Sequence, residues 1–162
     1  MSIKVGDRLP EANFVSMGEN GPERRSVADI FRGKRVVLFA VPGAFTPTCH
    51  LKHMPGFIQQ AEAFRARGID TIACVAVNDI HVLTAWGKAS GADGTILFLA
   101  DGNGDFTRAI GMELDGTAFG MGRRSQRYAM LVEDRVVNAI HLEAQPGIAD
   151  ESSAEKLLAV VQ

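Results

Sequence analysis

The sequence predicts an α/β fold in which a mixed central β-sheet is flanked by helices. Three observations predict it: short, continuously apolar runs, helix-type segments between them, and a late pair of apolar runs that flank a tight turn instead of a helix. Runs without polar alternation mark strands buried on both faces, the habit of parallel sheets, whereas the late pair reads as an antiparallel hairpin.

The elements follow in order. Val36-Val37-Leu38-Phe39-Ala40-Val41 is the first buried strand and stops at Pro42-Gly43. A helix is predicted from about Pro47 to Ala66, because Phe57, Ala61 and Phe64 recur near the helical period and Gly68 supplies a stop. Thr71 to Val77 is the next strand, and Asn78-Asp79 then caps a helical stretch through Trp86. Ile96 to Leu99 makes a third strand before the Asp101-Gly102-Asn103-Gly104 turn. Tyr128 to Val132 and Val136 to Leu142 flank Asp134-Arg135 as the hairpin, and a closing helix runs from Ala154 to Val161. Parallel βαβ units joined to a hairpin and a last helix describe a thioredoxin-like fold. No repeat, low-complexity segment or Pro/Ser-rich linker divides the chain, so residues 1–162 are expected to form one domain.

Composition narrows the function. The 162 residues carry a formal net charge of -2 with acids and bases mixed along the length. That balance gives no cationic field for nucleic acid or anionic lipid. No stretch approaches the roughly 20 apolar residues of a membrane span, and the start Met1-Ser2-Ile3-Lys4-Val5-Gly6-Asp7 lacks an apolar secretory region, so a cytoplasmic protein is expected. Two cysteines, Cys49 and Cys74, are too few for a disulfide scaffold and point to catalysis or metal binding.

The chemistry concentrates in Pro42-Gly43-Ala44-Phe45-Thr46-Pro47-Thr48-Cys49, which joins the first strand to the long helix. Thr46 is suited to the N-cap and Pro47 to the first helical position, which sets Thr48 and Cys49 in the first turn. Their backbone N–H groups lack intrahelical acceptors and, with the helix dipole, favour a thiolate or a peroxide oxygen there. A free cysteine is about 3% thiolate at neutral pH, so complete ionisation improves reactivity by at most about 30-fold, roughly 2 kcal/mol. A fast reaction therefore also requires donors in place for the departing oxygen: the Thr46 hydroxyl, the two amides and an arginine. The reading requires a sulfur that is ionised and open to solvent.

Pro42, Thr46 and Cys49 match the Pro-x-x-x-Thr-x-x-Cys signature, and the segment Val41 to Cys49 followed by His53-x-Pro55-Gly56-Phe57 resembles the type II/type V (atypical) branch of the peroxiredoxins. The likeness extends over Val5-Gly6-Asp7, Val77-Asn78-Asp79, Ala85-Trp86 and Arg127-Tyr128-Ala129-Met130. It implies a thiol peroxidase acting on hydrogen peroxide and organic hydroperoxides. By resemblance Cys49 is the peroxidatic cysteine that cycles through a sulfenic acid, Pro42 shields it, Thr46 hydrogen-bonds the peroxide and Arg127 steadies thiolate and substrate. Arg127 is singled out by the resemblance alone, since Arg123 and Arg124 lie close by. Gly43, Phe45, Thr48 and His53 complete the candidate substrate-contacting set. No cofactor is implied, because the sulfur carries the oxidation and thiols restore it. The resemblance further implies glutathione with glutaredoxin, or thioredoxin, as reductant, and a homodimer built around Phe45 and its neighbouring loops. Phe119-Gly120-Met121-Gly122 is a candidate border of the substrate entrance.

Two other classes compete. Cys49 and His53 are four apart on one helical face and form a plausible zinc pair, but His81 and His141 are distant and no Cys-x-x-Cys exists. A dithiol oxidoreductase would need a cysteine where Thr46 stands. Cys74 lies in an apolar strand, where an inert buried thiol is the default; plant-like members of the branch use a cysteine at the corresponding position to resolve the oxidised sulfur. Resolution by Cys74 and by an external thiol both remain open at this level.

Overall fold

A computed structural model describes residues 2–162. Its main sheet has seven strands in the order β2-β1-β5-β4-β3-β8-β9. The strands are β1 (Asn13–Gly18), β2 (Gly21–Ser26), β3 (Arg35–Ala40), β4 (Thr71–Ala76), β5 (Leu97–Ala100), β8 (Tyr128–Glu133) and β9 (Val136–Leu142). The apolar runs form the parallel centre, with β4 pairing β3 on one side and β5 on the other, as uninterrupted Val, Ile, Leu and Phe dictate. β8 and β1 close this centre antiparallel on either flank, which makes the sheet mixed as the sequence predicts.

Strand alternation splits the interior into two layers. Val37, Phe39 and Val41 face a core shared with Phe57, Phe64, Trp86 and Leu157, from α2 (Met54–Gln59), α3 (Ala61–Ala66), α4 (Ile80–Ala89) and α6 (Ala154–Leu158). Val36, Leu38 and Ala40 face the opposite core under α1 (Val27–Phe31) and α5 (Asp105–Ala109). The first core is built on stacked aromatics, with Phe57 lying parallel to Phe39 at 4.1 Å between ring centroids and to Phe64 at 6.0 Å.

Several elements depart from the sequence reading, among them the short helices α1 and α5, which it did not anticipate. The helix predicted as continuous from Pro47 to Ala66 contains a π-helical turn over Cys49–His53, in which the Met54 amide donates to Cys49 O, and it breaks again at Gln60. Pro55 accounts for the first irregularity: its ring has no N–H to donate and would collide with the carbonyl four residues earlier in a regular helix. The β1–β2 hairpin was not anticipated, because the edge strand Gly21-Pro22-Glu23-Arg24-Arg25-Ser26 carries no apolar pattern. The small sheet of β6 (Glu113–Asp115) and β7 (Arg123–Ser125) also escaped, being only three residues per strand. β9 keeps its predicted bounds, the other predicted elements shift by one to three residues at one end or both, and Asp79 caps α4 as predicted by accepting from the Val82 amide at 3.0 Å.

This topology fixes the location of the chemistry. The C-terminal ends of β3 and β4 open at the same edge of the sheet, and antiparallel β8 begins there, so Arg127 at the start of β8 arrives beside the segment leaving β3. Asn78, just beyond β4, accepts from the Ala44 amide through Oδ1 at 2.9 Å and ties the two exits together.

Removing the central ring of the aromatic stack should expose its worth. Phe57→Ala should lower unfolding free energy by about 3–5 kcal/mol, read by urea denaturation, since the side chain is fully buried.

Candidate active site

Chain reversal after β3 sets the scaffold of the site. Pro42 and Gly43 are buried, and Phe45 adopts φ 64, a left-handed conformation that an L-residue takes at a penalty of roughly 1–2 kcal/mol. The turn is held by the Thr46 amide donating to Gly43 O at 3.4 Å and by Phe45 packing near His50 and Trp86. Trp86 Nε1 donates to His50 Nδ1 at 3.1 Å, fastening the first helical turn to α4. The helix starts at Pro47, so the Thr48 and Cys49 amides occupy the first turn.

Thr46 stands at the cap position, yet its hydroxyl turns to the sulfur. Oγ1 lies 2.8 Å from Cys49 Sγ and 2.8 Å from Gly43 O. With a single proton, it donates to the carbonyl while the sulfur is a thiol and to the sulfur once that is a thiolate. The arrangement accommodates both protonation states without moving a heavy atom.

Arg127 is the other partner of the sulfur. It is buried and spends each donor group on a different acceptor: Nε on Pro146 O at 3.0 Å, Nη1 on His53 Nδ1 at 3.0 Å, and Nη2 on Cys49 Sγ at 2.9 Å. No carboxylate lies within ion-pair distance of it among the described residues. A buried cation without a counter-ion is unfavourable by several kcal/mol, and of its three acceptors only the sulfur can become an anion. His53 cannot share that role. Burial first, and then the Arg127 charge, push its imidazolium down to about 3. It is therefore neutral, with Nε2–H donating to Ser152 O at 2.9 Å and Nδ1 left to accept from Arg127.

The sulfur itself is enclosed. Cys49 has no exposed surface, which corrects the expectation of a solvent-open thiol. Thr46 and Arg127 sit against it, and above them lies a pocket of about 360 Å³ lined by Pro42, Pro47, Leu114, Phe119, Met121 and Pro146 among others. Thr46, Thr48 and Arg127 also reach this pocket, while Gly43 and Phe45 do not line it. Gly43 contributes its carbonyl to Thr46, and a side chain there would meet Arg124 Nη1 at 3.0 Å. Thr48 Oγ1 donates to Gly147 O at 2.9 Å and anchors the Pro146-Gly147 loop. Of the neighbouring arginines, Arg123 is exposed and Arg124 donates to Met121 O, so neither touches the sulfur. Cys49 and His53, the pair weighed as zinc ligands, are instead linked through the Arg127 guanidinium, itself a cation.

Cys74 is fully buried in β4, the middle strand of the main sheet, with Phe39 and Phe98 as its neighbours across the ladders. Burial, and then the neighbouring Cys49, push its thiol well above the usual range, which makes it a weak nucleophile where it stands. The sequence reading missed Leu114 of β6 and the carbonyls of Pro146 and Ser152. The first lies on a three-residue strand with no pattern, and main-chain acceptors leave no mark in side-chain identity.

Comparison with known proteins is consistent along the whole chain. The Redoxin family model matches residues 4–158. Peroxiredoxin-2E, chloroplastic, of Arabidopsis thaliana is 45% identical over 161 residues, covering 97% of this chain and 68% of that protein. Peroxiredoxin-2B of the same plant is 43% identical over 157 residues, covering 96% of each. The crystal structure of reduced Prx3 from Vibrio vulnificus in complex with hydrogen peroxide superimposes with a TM-score of 0.94 at 47% identity, over 99% of both chains.

The neutral histidine gives stability a pH signature. Its folded value of about 3 lies below the ordinary 6.5, so below pH 6.5 the unfolded chain takes up a proton that the folded chain refuses, and stability falls with pH. Between pH 6.5 and about pH 5 the wild type should lose about 2 kcal/mol more unfolding free energy than His53→Gln, measured by urea titration at each pH. Equal losses in the two proteins would mean that His53 is protonated in the fold.

Proposed function

The chain belongs to the peroxiredoxin family and is a thiol-dependent peroxidase, and on that premise we propose that Cys49 is the sulfur that attacks the peroxide. The observation that carries the assignment is the contact of one sulfur with the Arg127 guanidinium at 2.9 Å and the Thr46 hydroxyl at 2.8 Å. The thiolate displaces the proximal peroxide oxygen from its partner: an S–O bond forms, the O–O bond breaks, and the leaving oxygen departs as alkoxide or hydroxide and takes up a proton. Cys49 is left as a sulfenic acid. Arg127 and Thr46 first hold the thiolate and then face the oxygens over which charge spreads, which is where preorganised donors accelerate a reaction.

The substrate reading is hydrogen peroxide together with organic hydroperoxides. A neighbour solved with hydrogen peroxide supports the first. The apolar pocket lined by Leu114, Phe119 and Met121 suits the hydrocarbon part of the second.

For the reductive half we propose an external thiol, glutathione with glutaredoxin or thioredoxin, in preference to Cys74. The sulfenic acid and the incoming thiol condense to a mixed disulfide with loss of water, and a second thiol releases Cys49. The support is the position of Cys74 on the middle strand, bonded on both sides, where reaching Cys49 would break a buried ladder. We also infer a homodimer, because Phe45, Leu51, Phe119 and Ile148 leave large apolar side chains exposed on the segments that bound the site.

Rapid-mixing oxidation by hydrogen peroxide tests the assignment. Cys49→Ser should show no reaction, and Arg127→Ala should slow it by about 100- to 1,000-fold. A near-native rate in Arg127→Ala would move the arginine role elsewhere. Steady-state turnover of Cys74→Ser with glutathione and glutaredoxin should stay within about threefold of wild type, whereas arrest after a single oxidation would assign resolution to Cys74. Light scattering of the purified protein should give a dimer mass, with Phe45→Glu monomeric; a monomeric wild type would remove the association.

A further inference from the structure

Arg127 is held by the loop that follows β9 as much as by its own strand. The loop gives it the Pro146 carbonyl directly, and gives His53 the Ser152 carbonyl, so both neutral contacts of the guanidinium depend on where residues 144–153 lie. At the root of this loop stands Glu143, a buried carboxylate with only 5% of its surface exposed. Its amide donates to Arg127 O at 3.0 Å, which continues the β8–β9 ladder by one step and sets Glu143 directly opposite Arg127. Its Oε2 accepts from the Ser152 amide at 2.6 Å and from the Ser152 hydroxyl at 2.7 Å. The loop is thereby closed on itself at a residue next to the arginine it must surround.

The connections form one chain from the carboxylate to the sulfur. Glu143 holds Ser152, the Ser152 carbonyl accepts from His53 Nε2, His53 Nδ1 accepts from Arg127 Nη1, and Arg127 Nη2 donates to Cys49 Sγ. Each link is buried, and a carboxylate that accepts two short bonds from one residue fixes that residue more firmly than a neutral acceptor does. Buried carboxylates are uncommon unless they are paired or satisfied in this way.

We propose that Glu143 is a positioning residue for the peroxidase reaction: by closing the 144–153 loop through Ser152 it orients His53 and keeps the Arg127 guanidinium on Cys49. It touches neither the peroxide nor the sulfur and acts through the arginine. The proposal rests on Cys49 being the reacting sulfur, and its test includes a readout that needs no peroxide.

Glu143→Ala should reduce the rate of oxidation by hydrogen peroxide by about 10- to 100-fold, the scale on which loss of a supporting contact or a misplacement near 1 Å acts. The fraction of Cys49 present as thiolate at neutral pH, read from its ultraviolet absorbance in a Cys74→Ser background, should fall in parallel. Glu143→Gln, whose amide oxygen can still accept from Ser152, should recover the rate to within about threefold of wild type. In an Arg127→Ala background, Glu143→Ala should change the rate less than twofold, because the residue through which it acts is gone. An independent effect of the same size in that background, or native thiolate content and native rate in folded Glu143→Ala, would overturn the proposal. Should Glu143→Ala fail to fold, Ser152→Ala, which deletes one of the two bonds to Oε2 and leaves the carbonyl, supplies the same comparison: a loss of several-fold that vanishes without Arg127 supports the proposal, and an unchanged rate sinks it. If the thiolate responds as described while wild type ignores peroxide, the positioning role stands and the peroxidase role of Cys49 falls.

Discussion

A guanidinium sealed inside the protein, with no carboxylate within ion-pair distance among the described residues, is the constraint around which the molecule is organised. Arg127 could have been paired with an acid, and the ordinary surface arginine is; here its donors go to a main-chain oxygen, a neutral imidazole and a sulfur. Of these three acceptors, Cys49 Sγ is the one that reacts in the chemistry proposed above. The neutrality of His53 belongs to the same balance, since a second cation beside Arg127 would raise the energy of the fold. Thr46 adds a hydroxyl that can serve either protonation state of the sulfur.

Holding that cation in place draws on distant parts of the chain. The sheet brings the exits of β3 and β4 and the entrance of β8 to one edge, so residues far apart in sequence converge without a long loop between them. Asn78 and Trp86 fasten the segment that carries Cys49, and the loop beyond β9 fastens Arg127. The aromatic stack of Phe39, Phe57 and Phe64 lies directly beneath, and His53 packs edge-on against both Phe39 and Phe57. Stability and reactivity therefore share a foundation: the packing that buries the core also removes water from around the Arg127–Cys49 contact.

How much of this was legible in the sequence depended on the kind of signal each part carries. The parallel strands were readable to within a residue because burial on both faces leaves an unbroken apolar run. The edge strand β2 was not, since its residues face solvent, although Asn20-Gly21 is a turn signal that could have located the hairpin. Helical periodicity showed which residues of the segment after Pro47 face the core, but periodicity does not report the hydrogen-bond ladder, and the π-turn was announced only by Pro55. In the site, Cys49 and Thr46 were legible from the chemistry of a helix start. Arg127 came from resemblance, and nothing local distinguished it from Arg123 and Arg124. The burial of Cys49 was invisible because what covers it arrives from the other end of the chain.

The enclosure of Cys49 divides its chemistry by size. The pocket lies against Thr46 and Arg127, the two side chains that touch Cys49 Sγ, while the sulfur itself presents no exposed surface to a larger thiol. The widened turn at Cys49–His53, already one residue out of register with a regular helix, is where the main chain around the sulfur leaves regular helical bonding. An oxidised Cys49 must therefore become more exposed than it is here before any bulky thiol can reach it.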